Sequence, residues 1–142
     1  MKEQNFKNHA RLVAGFHGVA FLAIVILLIG AIRNFIKSSE ENLYSASLLI
    51  LVSIIFLLLF YYIRAFALKA QDRAIRAEEK LRYFILTGKP LSSKITTRQI
   101  IGLRFASDTE IVALVDRAEK ETLSEKEIKK LIKNWKADTY RV

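Results

Sequence analysis

"LYSASLLILVSIIFLLLFYYI", Leu43 to Ile63, is a run of 21 residues without Asp, Glu, Lys, Arg or His, and its reading decides the fold. At about 1.5 Å of rise per residue, a helix of that length reaches roughly 31 Å, enough to cross a hydrocarbon core of about 30 Å. A second run, "LVAGFHGVAFLAIVILLIGAI" from Leu12 to Ile32, is equally long and is interrupted only by His17. The sequence therefore predicts an all-α protein with two transmembrane helices, at about 12–32 and 43–63. A cleaved signal peptide fits the first run poorly: its apolar core is long, and "IGAIRNFIKSS" offers bulky residues and Arg33 where a small-residue cleavage site belongs. A buried hairpin in a soluble core is the other reading, but too little chain remains to cover it.

Lysine and arginine near the ends of the two runs predict their orientation, because these residues stay on the cytoplasmic side. Lys2, Lys7 and Arg11 precede the first run, and Arg64, Lys69, Arg73, Arg76, Lys80 and Arg82 follow the second. Between them stand only Arg33 and Lys37, offset by Glu40 and Glu41. Both termini are expected in the cytoplasm, with most of the net charge of +9 facing the inner leaflet. The chain has no cysteine, which excludes disulfides, a thiolate nucleophile and a thiolate metal site.

The second helix is expected to continue past the membrane. No proline or glycine occurs from Ser39 to Thr87, and "SSEE" at Ser38 to Glu41 fits a capping box at its start. Beyond the apolar run, Ile63, Ala67, Ala70, Ala74, Ala77, Leu81 and Phe84 recur at heptad-like spacing and form one stripe. Asp72 with Arg76, and Glu78 with Arg82, are placed for i,i+4 pairing. Gly88 then suits a left-handed cap, and Pro90 cannot extend the helix. "TGKP" therefore reads as punctuation. A phosphate-binding loop would need an earlier glycine, a Ser or Thr after the lysine, and a strand before it.

Three short helices should follow, announced by Thr96-x-x-Gln99, Ser107-x-x-Glu110 and Ser124-x-x-Glu127. Their apolar sets include Ile100, Leu103 and Phe105, then Ile111, Leu114, Val115 and Ala118, then Ile128, Leu131, Ile132 and Trp135. The chain thus divides into a membrane hairpin at 1–66, a cytoplasmic helix extension at 67–87, a linker at 88–96 and a small helical segment at 97–142. So short a segment rarely builds a core alone, and the alanine stripe needs a partner. Docking the three helices on that stripe satisfies both needs; a homodimeric coiled coil is the alternative.

Little in the sequence suggests chemistry. His9 and His17 stand without nearby carboxylates, so no metal site, cofactor or catalytic residue is expected, and His17 reads as an interfacial polar residue rather than a proton carrier. Asp108, Glu110, Asp116 and Glu119 suit caps and solvated helix faces better than an acid/base pair. Ala10, Ala14 and Gly18, with Ser45, Ser47 and Ser53, read as helix-packing surfaces, as do Ala67, Ala70, Ala74 and Ala77. In the last helix Lys129, Lys130, Lys133 and Lys136 border Trp135, making these residues candidate contacts for anionic lipid headgroups or a partner, with a solvated face as the plainer reading. No nucleic acid is expected as a partner.

The strings "KNHARLVAGFH" (7–17), "LRYFILTGKPL" (81–91), "RQIIGLRFASDTE" (98–110) and "LSEKEIKKLIKNWKADTYRV" (123–142) resemble an uncharacterised family of small two-span bacterial membrane proteins, known as a domain of unknown function. The resemblance covers nearly the whole chain. It implies a bacterial inner-membrane protein and transfers no catalytic residue. The expected function is non-enzymatic: a cytoplasmic basic helical module that scaffolds or modulates a membrane assembly, working with another membrane protein or as a homodimer. An accessory subunit of a transport system is the alternative.

Overall fold

Because neither proline nor glycine interrupts residues 43–87, one helix can run their whole length. The computed structural model, which describes residues 4–8 and 12–138, has that helix. A π-helical segment, Ala14–Ala20, leads into α1, Phe21–Lys37; a 3₁₀ turn, Glu40–Asn42, precedes α2, Leu43–Thr87. Then follow α3, Thr97–Leu103, α4, Ile111–Lys120, and α5, Glu125–Leu131. The only β pairing among the described residues is an isolated antiparallel bridge between Ala106 and Trp135. The chain forms two compact units, one of residues 12–68 and one of residues 69–142 together with the N-terminal residues.

In the first unit, the π-helical segment and α1 pair with the apolar part of α2 through a narrow seam. Ala31, Ala46 and Ser53 are buried there, and the Phe16 ring stacks on Phe60 with centroids 4.3 Å apart. Ser53 satisfies its hydroxyl by donating to the Leu49 carbonyl at 2.7 Å, so a polar side chain is buried without a lost hydrogen bond. Small residues let the helices approach closely, but of the predicted packing residues in this unit only Ser53 is buried in the seam. Ala14 and Gly18 are exposed, as are Ser45 and Ser47, while His17, Ala20, Ile24 and Leu28 are half-buried. Ala10 lies outside the described residues. The seam follows a row displaced by one side chain from the Ala14–Gly18 row. The expected capping box at Ser38 is also absent: Ser38 donates to the Asn34 carbonyl and ends α1, and Ser39 bonds Asn42 instead.

The second unit is built on the far end of α2. Ile75 and Tyr83 join a core made of Ile95, Ile100, Leu103, Phe105, Ile111, Leu114, Val115, Ala118, Ile128 and Ile132. The three short helices therefore do pack on α2, but not on its alanines: Ala70, Ala74 and Ala77 are exposed and Ala67 is half-buried. The docking face carries Ile75, Glu79, Arg82 and Tyr83, because larger side chains fill the space above such short helices and a polar clamp fixes their position. Arg82 donates to the Glu79 carboxylate at 3.0 Å, to the Ala106 carbonyl at 2.7 Å and, through Nε, to Asp108 at 2.6 Å. Arg82 thus turns to Glu79 and the short helices, not to Glu78.

The punctuation follows the chemistry of each turn. Gly88 has φ of +69° and donates to the Phe84 carbonyl at 2.8 Å, closing α2 as a left-handed cap. Capping boxes form at Thr96 with Gln99 and at Ser124 with Glu127. The Gln99 amide also donates to the carbonyls of Ala118 and Leu123, tying the start of α3 to the end of α4. The box expected at Ser107 is only half made: Glu110 accepts the Ser107 N–H at 3.4 Å, but the Ser107 hydroxyl turns to Thr109, α4 starts at Ile111, and the Glu110 carboxylate also takes the backbone N–H groups of Lys133 and Asn134, at 3.2 and 3.1 Å. α5 is likewise shorter than its apolar pattern. Ile132 is extended, so Trp135 reaches the core from a strand-like segment and packs at a tilt on Phe105, with ring centres 5.1 Å apart.

Thr122 stands at φ of +50°, directly after the α4 cap, while Leu123 N–H bonds the Ala118 carbonyl at 3.2 Å. A β-branched residue is disfavoured there and glycine is not. Thr122→Gly is expected to stabilise the protein by about 0.5–1 kcal/mol, after allowing for glycine's greater freedom in the unfolded chain. A thermal melt should show a higher midpoint; a lower one would mean that the threonine side chain holds the turn.

Candidate functional site

Two of the three buried charged side chains among the described residues, Glu79 and Arg104, lie where α2, the end of α3 and the C-terminal strand-like segment meet within the second unit. Gln71, Ala74, Ile75, Glu78 and Glu79 come from α2, Arg104 from the end of α3, and Lys136 and Asp138 from the last segment; they line a recess of about 390 Å³. Arg104 is buried, and three features hold it there. Its Nη1 lies 3.4 Å from an Asp138 oxygen, its guanidinium sits 4.6 Å above the Phe105 ring, and its backbone N–H closes α3. A guanidinium tolerates such a site because its flat, weakly hydrated face packs on an aromatic ring while its edge pairs with a carboxylate.

Asp138 is fixed from its other side by the N-terminal residues. Its N–H donates to Gln4 Oε1 at 2.7 Å, and the Gln4 amide returns a bond to the Asp138 carbonyl at 3.5 Å. Nothing in the sequence spacing signals this pairing, which joins residues 134 positions apart.

Three of the four carboxylates considered for acid/base work have structural partners, and the fourth, Asp116, is exposed on α4. Asp108 accepts from Arg82, Glu110 from the backbone of residues 133 and 134, and Glu119 stands 3.3 Å from the Lys94 ammonium. Hydrogen bonds from Ser92 and then Lys94 hold Glu119 below the usual carboxylate range. The Ser124 hydroxyl and backbone N–H do the same for Glu127, and the paired Arg117 and Glu121 are pushed apart, the arginine up and the glutamate down. Each shift favours the charged form and reports a cap or ion pair.

His17 accepts the Val13 N–H at 3.1 Å through Nδ1 and meets the Phe16 ring edge-on, so it serves the start of the first helical segment. His9 lies outside the described residues. No group of three His, Asp or Glu side chains suited to a metal occurs among the described residues.

The predicted lysine cluster divides. Lys129 is nearly buried, pairs with Glu125 at 2.6 Å and lies 5.3 Å from the Phe105 ring centre. Lys130, Lys133 and Lys136 are exposed, but only Lys130 is on α5, because the helix ends at Leu131. Trp135 is half-buried on the core. The five residues therefore do not form one helical face. The recess at Arg104, by contrast, has no counterpart in the sequence reading, since its walls come from three distant segments.

The sequence model of a family of unknown function, DUF6526, matches residues 1–142. The chain belongs to that family. No curated protein and no solved structure matches the chain.

Proposed function

We propose that this DUF6526 member is a non-enzymatic protein of the bacterial inner membrane, spanning it twice with both termini in the cytoplasm, and that its C-terminal helical unit scaffolds or modulates a membrane assembly. One observation carries the reading: only 6% and 11% of the most apolar windows of the two long helices are buried within the chain. Core helices of a soluble protein would be covered, whereas a lipid-facing hairpin needs its backbone satisfied internally and its side chains apolar. The aromatic residues support it further. Exposed Tyr44 and Tyr61 bracket the apolar part of α2, about 26 Å apart along the helix, the positions that interfacial rings favour. The Gln4 to Asp138 bonds support a common side for the two ends of the chain. Lys130, Lys133 and Lys136 add positive charge on that side, about 1 kcal/mol each where an anionic surface is near.

Reporter fusions after residue 142 and within the loop between Lys37 and Asn42 should give opposite signals, the first cytoplasmic and the second exported. An exported C-terminus, or a chain released from membranes by alkaline carbonate, would overturn the assignment. Extraction in mild detergent separates the two functional classes: a chain that travels alone or as a dimer fits the self-contained module, and one that travels with a permease or an ATPase fits an accessory subunit.

A further inference from the structure

We propose that the exposed face of α2 between Ala70 and Phe84 is the seam of a parallel homodimeric coiled coil, occupied by a second copy of this chain. Packing within the second unit uses one side of this stretch, at Ile75, Glu79, Arg82 and Tyr83. At about 100° per residue, Ala70, Ala77, Leu81 and Phe84 lie on the opposite side, and Ala74 stands at its border, where it also lines the Arg104 recess. The three alanines are exposed, and Leu81, Phe84 and Ile85 are 60%, 50% and 72% exposed. Large side chains left this open at heptad spacing call for a cover.

The charges beside the stripe identify that cover. With Ala74 and Leu81 at a, and Ala70, Ala77 and Phe84 at d, Arg73 and Lys80 fall at g, and Glu78 and Ile85 fall at e. In a parallel pair each g residue faces the e residue of the following heptad on the other helix. Arg73 of one copy therefore meets Glu78 of the other, and two-fold symmetry makes the pair twice. Lys80 lays its methylene stem across Ile85 in the same way. Arg73 and Glu78 are both exposed and, five residues apart on one helix, do not face each other, so this complementarity is open to a second copy, with Glu78 at the rim of the Arg104 recess. The alanines at the seam permit close approach, and Leu81 with Phe84 supplies the larger apolar contact. The parallel sense rests on the membrane reading, because two copies inserted the same way present α2 in the same direction.

The chain has no cysteine, so single substitutions give clean crosslinks. Full-length Ala70→Cys, Ala77→Cys and Phe84→Cys, oxidised in native membranes, should each form a disulfide-linked dimer, while exposed Arg76→Cys should not. Self-crosslinking at both ends of the stripe requires a parallel, in-register pair; linkage at Ala77→Cys alone would indicate an antiparallel one and overturn the proposal. Arg73→Glu should weaken the dimer by roughly tenfold through two repulsive pairs, and the added Glu78→Arg exchange should restore it. Absence of all three crosslinks in a membrane-embedded chain overturns the seam and leaves the membrane reading intact, as does linkage only to a different protein. Crosslinking of a chain found in the soluble fraction upholds the seam and overturns the membrane reading.

Discussion

Arg82→Ala is expected to release the short C-terminal helices from α2. Its guanidinium bonds Glu79, Asp108 and the Ala106 carbonyl at once, and its side chain is only 12% exposed. Removing it strands the Glu79 carboxylate, 11% exposed, without its cation, and loses of about 3–5 kcal/mol are typical when one partner of a buried pair is deleted. Asp108 is too exposed to add much. Limited proteolysis should show faster cleavage in the linker at 88–96, while the apolar hairpin stays protected. Arg82→Lys should recover only part of the stability, because one ammonium cannot reproduce the three-way fork. An unchanged cleavage rate for Arg82→Ala would mean that apolar packing alone holds the helices in place.

Phe105→Ala should cost a similar amount, about 3–5 kcal/mol, by emptying the centre of the same unit. The ring has no exposed surface; Trp135 packs on it at 5.1 Å, and the charged groups of Arg104 and Lys129 sit 4.6 and 5.3 Å from its centre. The substitution therefore removes a hydrophobic contact and also the aromatic face that makes burial of two cations tolerable. The expected result is a lower melting midpoint together with a red-shifted, quenchable emission from Trp135, the sole tryptophan. Phe105→Leu should keep most of the stability but loosen Arg104. If tryptophan emission is unchanged in Phe105→Ala, the strand-like segment is anchored by Glu110 and the Ala106 bridge instead.

What the sequence made legible was local. The long apolar runs, the break-free course of α2, its glycine cap and the boxes at Thr96 and Ser124 all rest on residues a few positions apart, where propensity and capping chemistry act directly. Errors began where one signal admitted two partners. Ser107 and Glu110 have the spacing of a capping box, yet Glu110 does more by satisfying two backbone amides 23 and 24 residues ahead. Ile128, Leu131, Ile132 and Trp135 keep helical spacing, yet α5 stops at Leu131 because the core accepts Trp135 from an extended backbone. The alanines of α2 form the most regular row, and regularity drew the docking face to them. The structure instead uses the row with bulk and charge, since short helices need long side chains to reach them. The Arg104 recess was illegible for a simpler reason: no periodicity relates residues 71–79, 104 and 136–138.

The bridge between Ala106 and Trp135 is the smallest possible piece of sheet. Ser107 N–H bonds the Asn134 carbonyl at 3.1 Å and Lys136 N–H bonds the Phe105 carbonyl at 2.8 Å, and there the ladder ends. Any strand with one side paired offers its other side as a template for further strands, the route by which folded proteins aggregate. Exposed Lys133 and Lys136 flank this short edge, and a strand arriving from another molecule would have to accommodate their charge and length. Two of the lysines read from the sequence as candidate lipid contacts thus stand beside an unfinished sheet, where charge is the ordinary means of discouraging its growth.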